Sequence, residues 1–497
     1  MNRRSTKPKT PFSSSHSNRK SKYPNGPGGF YNLNGRTEQF YNLIVNSGSF
    51  RIGRGGSLTL TDPVWTGGNV TVDGTLNDSF LLVTGGNNRI IGDGGSGFGN
   101  GHLNITGSAV FSGNGTPTVK LSSDDVASGL LTLQGPFAFT GTGGRGSILN
   151  SVATDANGDD TAAFGSNLGR VDLAGGVRTF TINNPVNTAT SGADFVITAN
   201  VANGGLVKDG AGELVLTSHN ITGGITVNNG LLTMGGNIGS TSSSFALNAG
   251  GGFSPGAIAV NGTGVGAVTD GFSGIGTANF TNTGAGSSVW AGGSKLVFQF
   301  KGVTNDSNNQ TAAGTDWDLI NNAAGALLIT ATAGAKINIL IESFATLTGL
   351  GANVGLTAFS DTNDIDGNPG NGIQPQTYLW KFATNVSFTG TDNVTDRFSV
   401  DPSGVWNTGY GSYSQPTSSL GVGTFYVTQI GADLYIGYSS IPEPSSLLLA
   451  GLAAMGMGGY GWRRRRKNRS ANPDLTPTDP PAVVEVVEPT DGPNPIA

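Results

Sequence analysis

The chain has no cysteine, only three histidines, and charged side chains at 12% of its 497 residues. Each shortage removes a class of chemistry. Without cysteine there is no disulfide frame and no thiolate nucleophile, although a polypeptide of this length can bury a sufficient core without staples. His16, His102 and His219 are scattered, which rules out a zinc site of ordinary spacing and leaves little for a nucleophilic triad. Glutamate is scarce too: Glu38, Glu213 and Glu342 are the only ones before Glu443. The net charge of -5 leaves no electropositive footprint for nucleic acid, because the basic residues gather at the two ends. An apolar run of signal length is missing before Phe40: Arg3, Arg4, Lys7 and Lys9 are followed by Ser, His, Asn and further cations. An N-terminal signal peptide is therefore not visible in this chain, and we expect the true translation start to differ from Met1.

What the chain has in quantity is glycine, 82 residues of it, without a collagen-like triplet period. From Phe40 onward, short runs of alternating apolar and polar residues end at Gly, Asn or Asp. Examples are SLTLTD, GGNVTVDGTLND and GHLNITGSAVFSGNG. Alternation sends Leu58 and Leu60, or Val70 and Val72, to one face while Thr59 and Thr71 take the other. Strands this short cannot stand alone, and a stack of rungs is one way to bury their apolar faces and cover their edges. The expectation is an all-β fold, a β-solenoid in residues 37–285, followed by a β-rich region over 286–440 that includes Trp290 and Trp317. Residues 423–440 read as a final hairpin, and 1–36 as a disordered basic start.

Residues 441–469 join three chemically distinct pieces: the rigid Pro442-Glu443-Pro444, an apolar run over 446–462, and Arg463, Arg464, Arg465, Arg466 and Lys467 with Arg469. The apolar run is at the lower limit for a membrane-spanning helix. The cations behind it would stay on the cytoplasmic side, leaving everything before Pro442 outside. Residues 470–497 read as a disordered tail. Motif, span and basic cluster in this order resemble the PEP-CTERM sorting signal. The resemblance implies recognition by an exosortase-type membrane peptidase, a single-pass inner-membrane intermediate held by lipid around the helix, and a final place in the cell envelope or at the extracellular surface.

A second resemblance covers 204–236, GGLVKDGAGELVLTSHNITGGITVNNGLLTMGG. It is similar to the autotransporter-associated β-strand repeat through Gly205, Leu206, Lys208, Gly210, Gly212, Leu214, Leu216, Asn220, Gly223, Gly224, Val227 and Gly230. Ile221 stands where that repeat commonly has Tyr. The resemblance implies rungs of a right-handed parallel β-helix and no catalytic activity.

Candidate chemistry in the body is thin. Asp62, Asp73, Asp124, Asp125, Asp172 and Asp316 could serve a sugar-cleaving site, but each falls at a turn or strand end, where Asp is favoured for backbone hydrogen bonding. Lys208 and Arg178 read as solvated. Two oxygen-rich clusters are weak calcium candidates: Asp155, Asn157 and Asp159 with Asp160, and Asp364 and Asp366 within Asp361–Asn368. Neither has the spacing of a twelve-residue calcium loop, and a solvated acidic turn is the expectation, with no cofactor required. The sequence thus reads as a non-enzymatic secreted or surface protein, an adhesin or exopolysaccharide-matrix component. A polysaccharide lyase or hydrolase on a β-helix scaffold is the alternative.

Overall fold

The computed structural model describes most of residues 30–440. Outside the described residues lie 1–29, 92–99, 122–127, 151–168, 185–193, 257–274, 282–287, 301–312, 351–376, 405–422 and 441–497, with shorter stretches between strands. The chain divides into two units, Met1–Ile441 and Pro442–Ala497. The second falls wholly outside the described residues, so the expected span over 446–462 and the tail after it are not seen. Among the described residues no helix is long and apolar enough to cross a membrane.

The first unit is β structure throughout, apart from one 3-10 turn at Val394–Asp396 among the described residues. Neighbouring strands along the chain rarely pair with each other. They take places in different sheets, and each pairs in parallel with a strand further on. The first sheet runs from Phe30–Asn32 through Ser49–Ile52, Asn69–Val72, Asn88–Ile91, Thr118–Leu121 and Gly146–Asn150. It continues through Phe195–Ile197, Glu213–Leu216, Gly230–Met234, Gly251–Pro255 and Lys295–Phe300 to Ile337–Thr346. A second sheet collects intervening strands such as Ser57–Leu60, Thr75–Thr84, Gly101–Ser112 and Gly129–Leu133. A third begins at Gly236–Ile238 and ends in the antiparallel hairpin of Gly423–Ile430 with Asp433–Ser440. Parallel pairing continues past residue 286, since Phe245 aligns with Ser288 and Phe253 with Leu296.

In-register parallel pairing places like residues over like. In the second sheet Leu58, Leu76, Leu103, Leu131, Val171 and Val201 form one continuous buried column. Alternation along the strand makes this possible: Ser57–Leu60 and Gly129–Leu133 bury every second residue. Burying each such aliphatic side chain stabilises by about 1.5–3 kcal/mol. Further along, Phe111, Phe137, Phe139, Phe180 and Phe195 pack as a ring cluster with centroids 4.9–5.5 Å apart, partly edge-on. Trp290 and Trp317 are also buried.

Where paired strands bend within the second sheet, their backbones touch. Gly101–Ser112 has a register irregularity between Ile105 and Ser108, and Gly107 sits there. A Cβ on Gly107 would be driven into the carbonyl oxygen of Ser79, and one on Gly135 into that of Gly107. These glycines are required for close approach, as bends at bulges often require. Gly135→Ala is expected to destabilise the body by about 2 kcal/mol. A lowered urea midpoint with an unchanged slope checks this.

Candidate functional site

Buried charges occur at several places in the body, among them Asp73, Asp318 and Arg397, and the lysine among them is on the strand Gly205–Asp209. This strand lies between Val177–Ile182 and Ile225–Val227, and register places Lys208 between Phe180 and Val227. That column points inward, so Lys208 occupies an otherwise apolar row and is fully buried. Its Nζ donates to the carbonyl oxygens of Asp209 at 2.9 Å, Gly210 at 2.8 Å and Asn229 at 2.9 Å. Burial lowers its pKa to about 8, opposed by the charges of Asp209, Asp194 and Glu213. The expectation of a solvated lysine is therefore corrected. The run Leu-Val-Lys-Asp gives Lys208 the parity of the inward Leu206, a signal that the preference of lysine for water concealed. Gly210, at φ +77°, bends the chain so that its carbonyl faces the ammonium group. Arg178 is half-buried, and its Nε donates to the Leu173 carbonyl at 3.0 Å, tying down a turn.

Among the described residues, burial raises the pKa of four carboxyl groups. Burial pushes Glu213 up to about 7, with Glu342 and Asp194 adding repulsion while a 2.6 Å hydrogen bond from Thr233 Oγ1 opposes the shift. Asp194 is raised by burial although it accepts the Glu213 amide at 2.7 Å. Asp318 accepts backbone amides of Gly276 at 3.0 Å and Gln299 at 2.8 Å, and burial holds it well above the usual range. Glu342, beside the Gln299 amide at 3.0 Å, is raised by burial as well.

The other described sequence candidates are held by local partners. Asp73 is buried and paired with Arg51 at 2.8 Å. Asp172 is paired with Arg170 and accepts from Asn203 and the Ala174 amide. Burial lowers the pKa of His102, only partly countered by Asp172, and its Nε2 is 2.9 Å from Thr132 Oγ1. His219 is desolvated, with Nε2 2.8 Å from the Gly235 carbonyl. The structure brings none of these into an open constellation of acid, base and nucleophile among the described residues. Asp62, Asp124, Asp125, Asp316, the calcium candidates Asp155, Asn157, Asp159, Asp364 and Asp366, and His16 lie outside the described residues. Among the described residues no group of three or more His, Asp or Glu side chains could hold a metal ion.

The third sheet ends where the sequence signal begins. Asp433–Ser440 lies between Thr377–Ala383 and Gly423–Ile430, and Leu434, Ile436 and Tyr438 anchor it by burial. A family model of the PEP-CTERM protein-sorting motif matches residues 440–466, starting at the last residue of this strand. The chain carries a PEP-CTERM sorting motif. The motif implies processing by an exosortase-type system and export toward the cell envelope or surface. No curated protein and no solved structure matches the chain.

Two outcomes follow for the buried charges. Lys208→Met keeps the stem and removes the ammonium, leaving three carbonyls without this donor. The expected loss is about 2–4 kcal/mol in urea unfolding, most of it from desolvated acceptors. For Glu213, the folded form holds its proton more tightly than the unfolded chain. Its contribution is therefore full below the ordinary value of 4.5 and is lost as pH rises through about 7. Between pH 5 and 7.5 the melting temperature should fall, reflecting a loss of stability on the order of 2–3 kcal/mol from this one group. Glu213→Gln should flatten that slope, and an unchanged slope would refute the assignment.

Proposed function

We propose that the protein is a non-enzymatic, exported β-solenoid that an exosortase-type system sorts and that remains at the cell surface or in the exopolysaccharide matrix. The sorting motif over 440–466 carries this reading. Pro442 and Pro444 hold the segment extended, because each proline restricts itself and the residue before it, which suits a peptidase cleft. The apolar run 446–462 spans lipid as a short helix, and Arg463–Arg466 with Lys467 hold its far end in the cytoplasm. Strands that rotate among parallel sheets, with aligned inward columns, support a right-handed parallel β-helix. The burial of Leu206, Leu214, Leu216, Ile221 and Val227 supports 204–236 as an autotransporter-associated repeat within it. The body then acts as a spacer, adhesin or matrix component. Among the described residues, three of the charged candidates are engaged in the fold, which supports a structural role for them: Lys208 by three carbonyls, Asp73 by Arg51 and Asp172 by Arg170.

The test is to fractionate cells of an exosortase-bearing host expressing the full chain and to read its mature carboxy terminus by mass spectrometry. The expected product is an envelope or extracellular species ending near Pro444, with an intact terminus when Pro442, Glu443 and Pro444 are all replaced by Ala. A cytoplasmic chain running to Ala497 in both cases would overturn the proposal.

A further inference from the structure

Two outward columns run across consecutive strands of the second sheet. One aligns Thr37, Ser57, Thr75 and His102, and the other Gln39, Thr59, Asn77, Asn104, Thr132 and Asp172. Their side chains from Ser57 to Asp172 are half-exposed, while the alternate residues of the same strands fill the core. The amides are fixed. Asn104 Nδ2 donates to Asn77 Oδ1 at 3.2 Å, and Asn104 Oδ1 accepts from Gln134 Nε2 at 2.8 Å. Each of these groups keeps further donor or acceptor capacity beyond the ladder. His102 is steadied against Thr132, and desolvation favours its neutral form. At the far end Arg170 and Asp172 neutralise each other.

We propose that this strip binds an uncharged, extended polysaccharide laid across the strands. The proposal rests on the extracellular reading above and names the ligand class and the face that would take it. Three observations favour a neutral glycan. The strip offers hydroxyls and amides with no unbalanced charge, which gives a polyanion nothing to pair with. The large exposed apolar side chains of the described residues, Val177 and Ile430, are not on these columns, and Leu130, in register between His102 and Arg170, is only half-exposed, a small anchor for a protein partner. Adjacent strands are about 4.8 Å apart, close to the advance of one pyranose unit along an extended glycan, so a polymer can repeat its contacts from strand to strand. Hydrogen bonding within the ladder fixes the amides beforehand and lowers the ordering cost of binding. No aromatic platform stands on these columns, so each contact is weak, and affinity depends on many units engaging together.

The test is affinity electrophoresis of the purified full chain through gels containing soluble mixed-linkage β-glucan, with alginate as the polyanionic comparison and a glucan tetrasaccharide as the short one. The expected result is retardation by the glucan, little by alginate, and no competition from tetrasaccharide at matched sugar concentration. Asn77→Ala with Asn104→Ala should weaken glucan binding about tenfold, the effect of losing roughly one to two net hydrogen bonds. Asn104→Asp keeps the size and removes the donor, and should weaken it as well. Ser387→Ala, on a distant strand, should leave it unchanged. Thermal melting of each variant separates lost binding from lost fold. No retardation by glucan, equal retardation by alginate, or full binding by folded Asn104→Asp would each overturn the proposal. Because the mature carboxy terminus is read separately, export could be upheld while this strip is refuted.

Discussion

Parallel pairing in register is the constraint on which the rest of the body depends. When a strand pairs in register with its neighbour, every side chain meets the matching position of the paired strand, and a choice made once must be compatible with its repetition. Leu58 over Leu76 over Leu103 over Leu131 is that rule applied to aliphatic groups. Phe111 beside Phe139, and Phe137 beside Phe180, is the same rule applied to rings. Columns of this kind pack to interior density because neighbours of similar shape interdigitate at a fixed separation. The outer face follows the same geometry with polar groups, which explains why amides there meet amides and form a ladder.

The rule also explains how a charged group comes to be inside. Lys208 stands in the column of Phe180 and Val227, and only the local turn makes this tolerable. A buried ammonium without partners would be prohibitive. Gly210 supplies one carbonyl through its left-handed conformation, and Asn229, following the paired strand Ile225–Val227, supplies another. The lysine thus ties two layers of backbone together. Nearby Glu213 and Asp194 stay in poorly hydrated positions, and their charge is coupled to how closely those layers sit.

Much of the β architecture was legible in the sequence because alternation is a local signal. The pattern at Ser57–Leu60 and Asn69–Val72 named the buried residues correctly, and the hairpin over 423–440 is present as expected from its two alternating runs. The sorting motif was legible for a different reason: three unlike pieces in a fixed order need no fold to be recognised. Lys208 was misjudged because residue type was weighed above parity. The desolvated state of Glu213, Asp318 and Glu342 was invisible, since the groups that raise their pKa come from strands far apart in the chain. The partners of Asp73 and Asp172 were hidden to different degrees. Arg51 is reached only through register, whereas Arg170 is two residues away and could have been noticed.

The register of paired strands is indifferent to what lies between them. Gly129–Thr132 aligns with Gly169–Asp172 without a break, although residues 151–168 intervene, and Met234 aligns with Pro255 just before another such stretch at 257–274. The number of residues between two paired strands can therefore change while the ladder is undisturbed, since a longer connection costs little additional entropy. A lineage built this way can change the spacing between its rows of paired strands and inherit the frame unaltered.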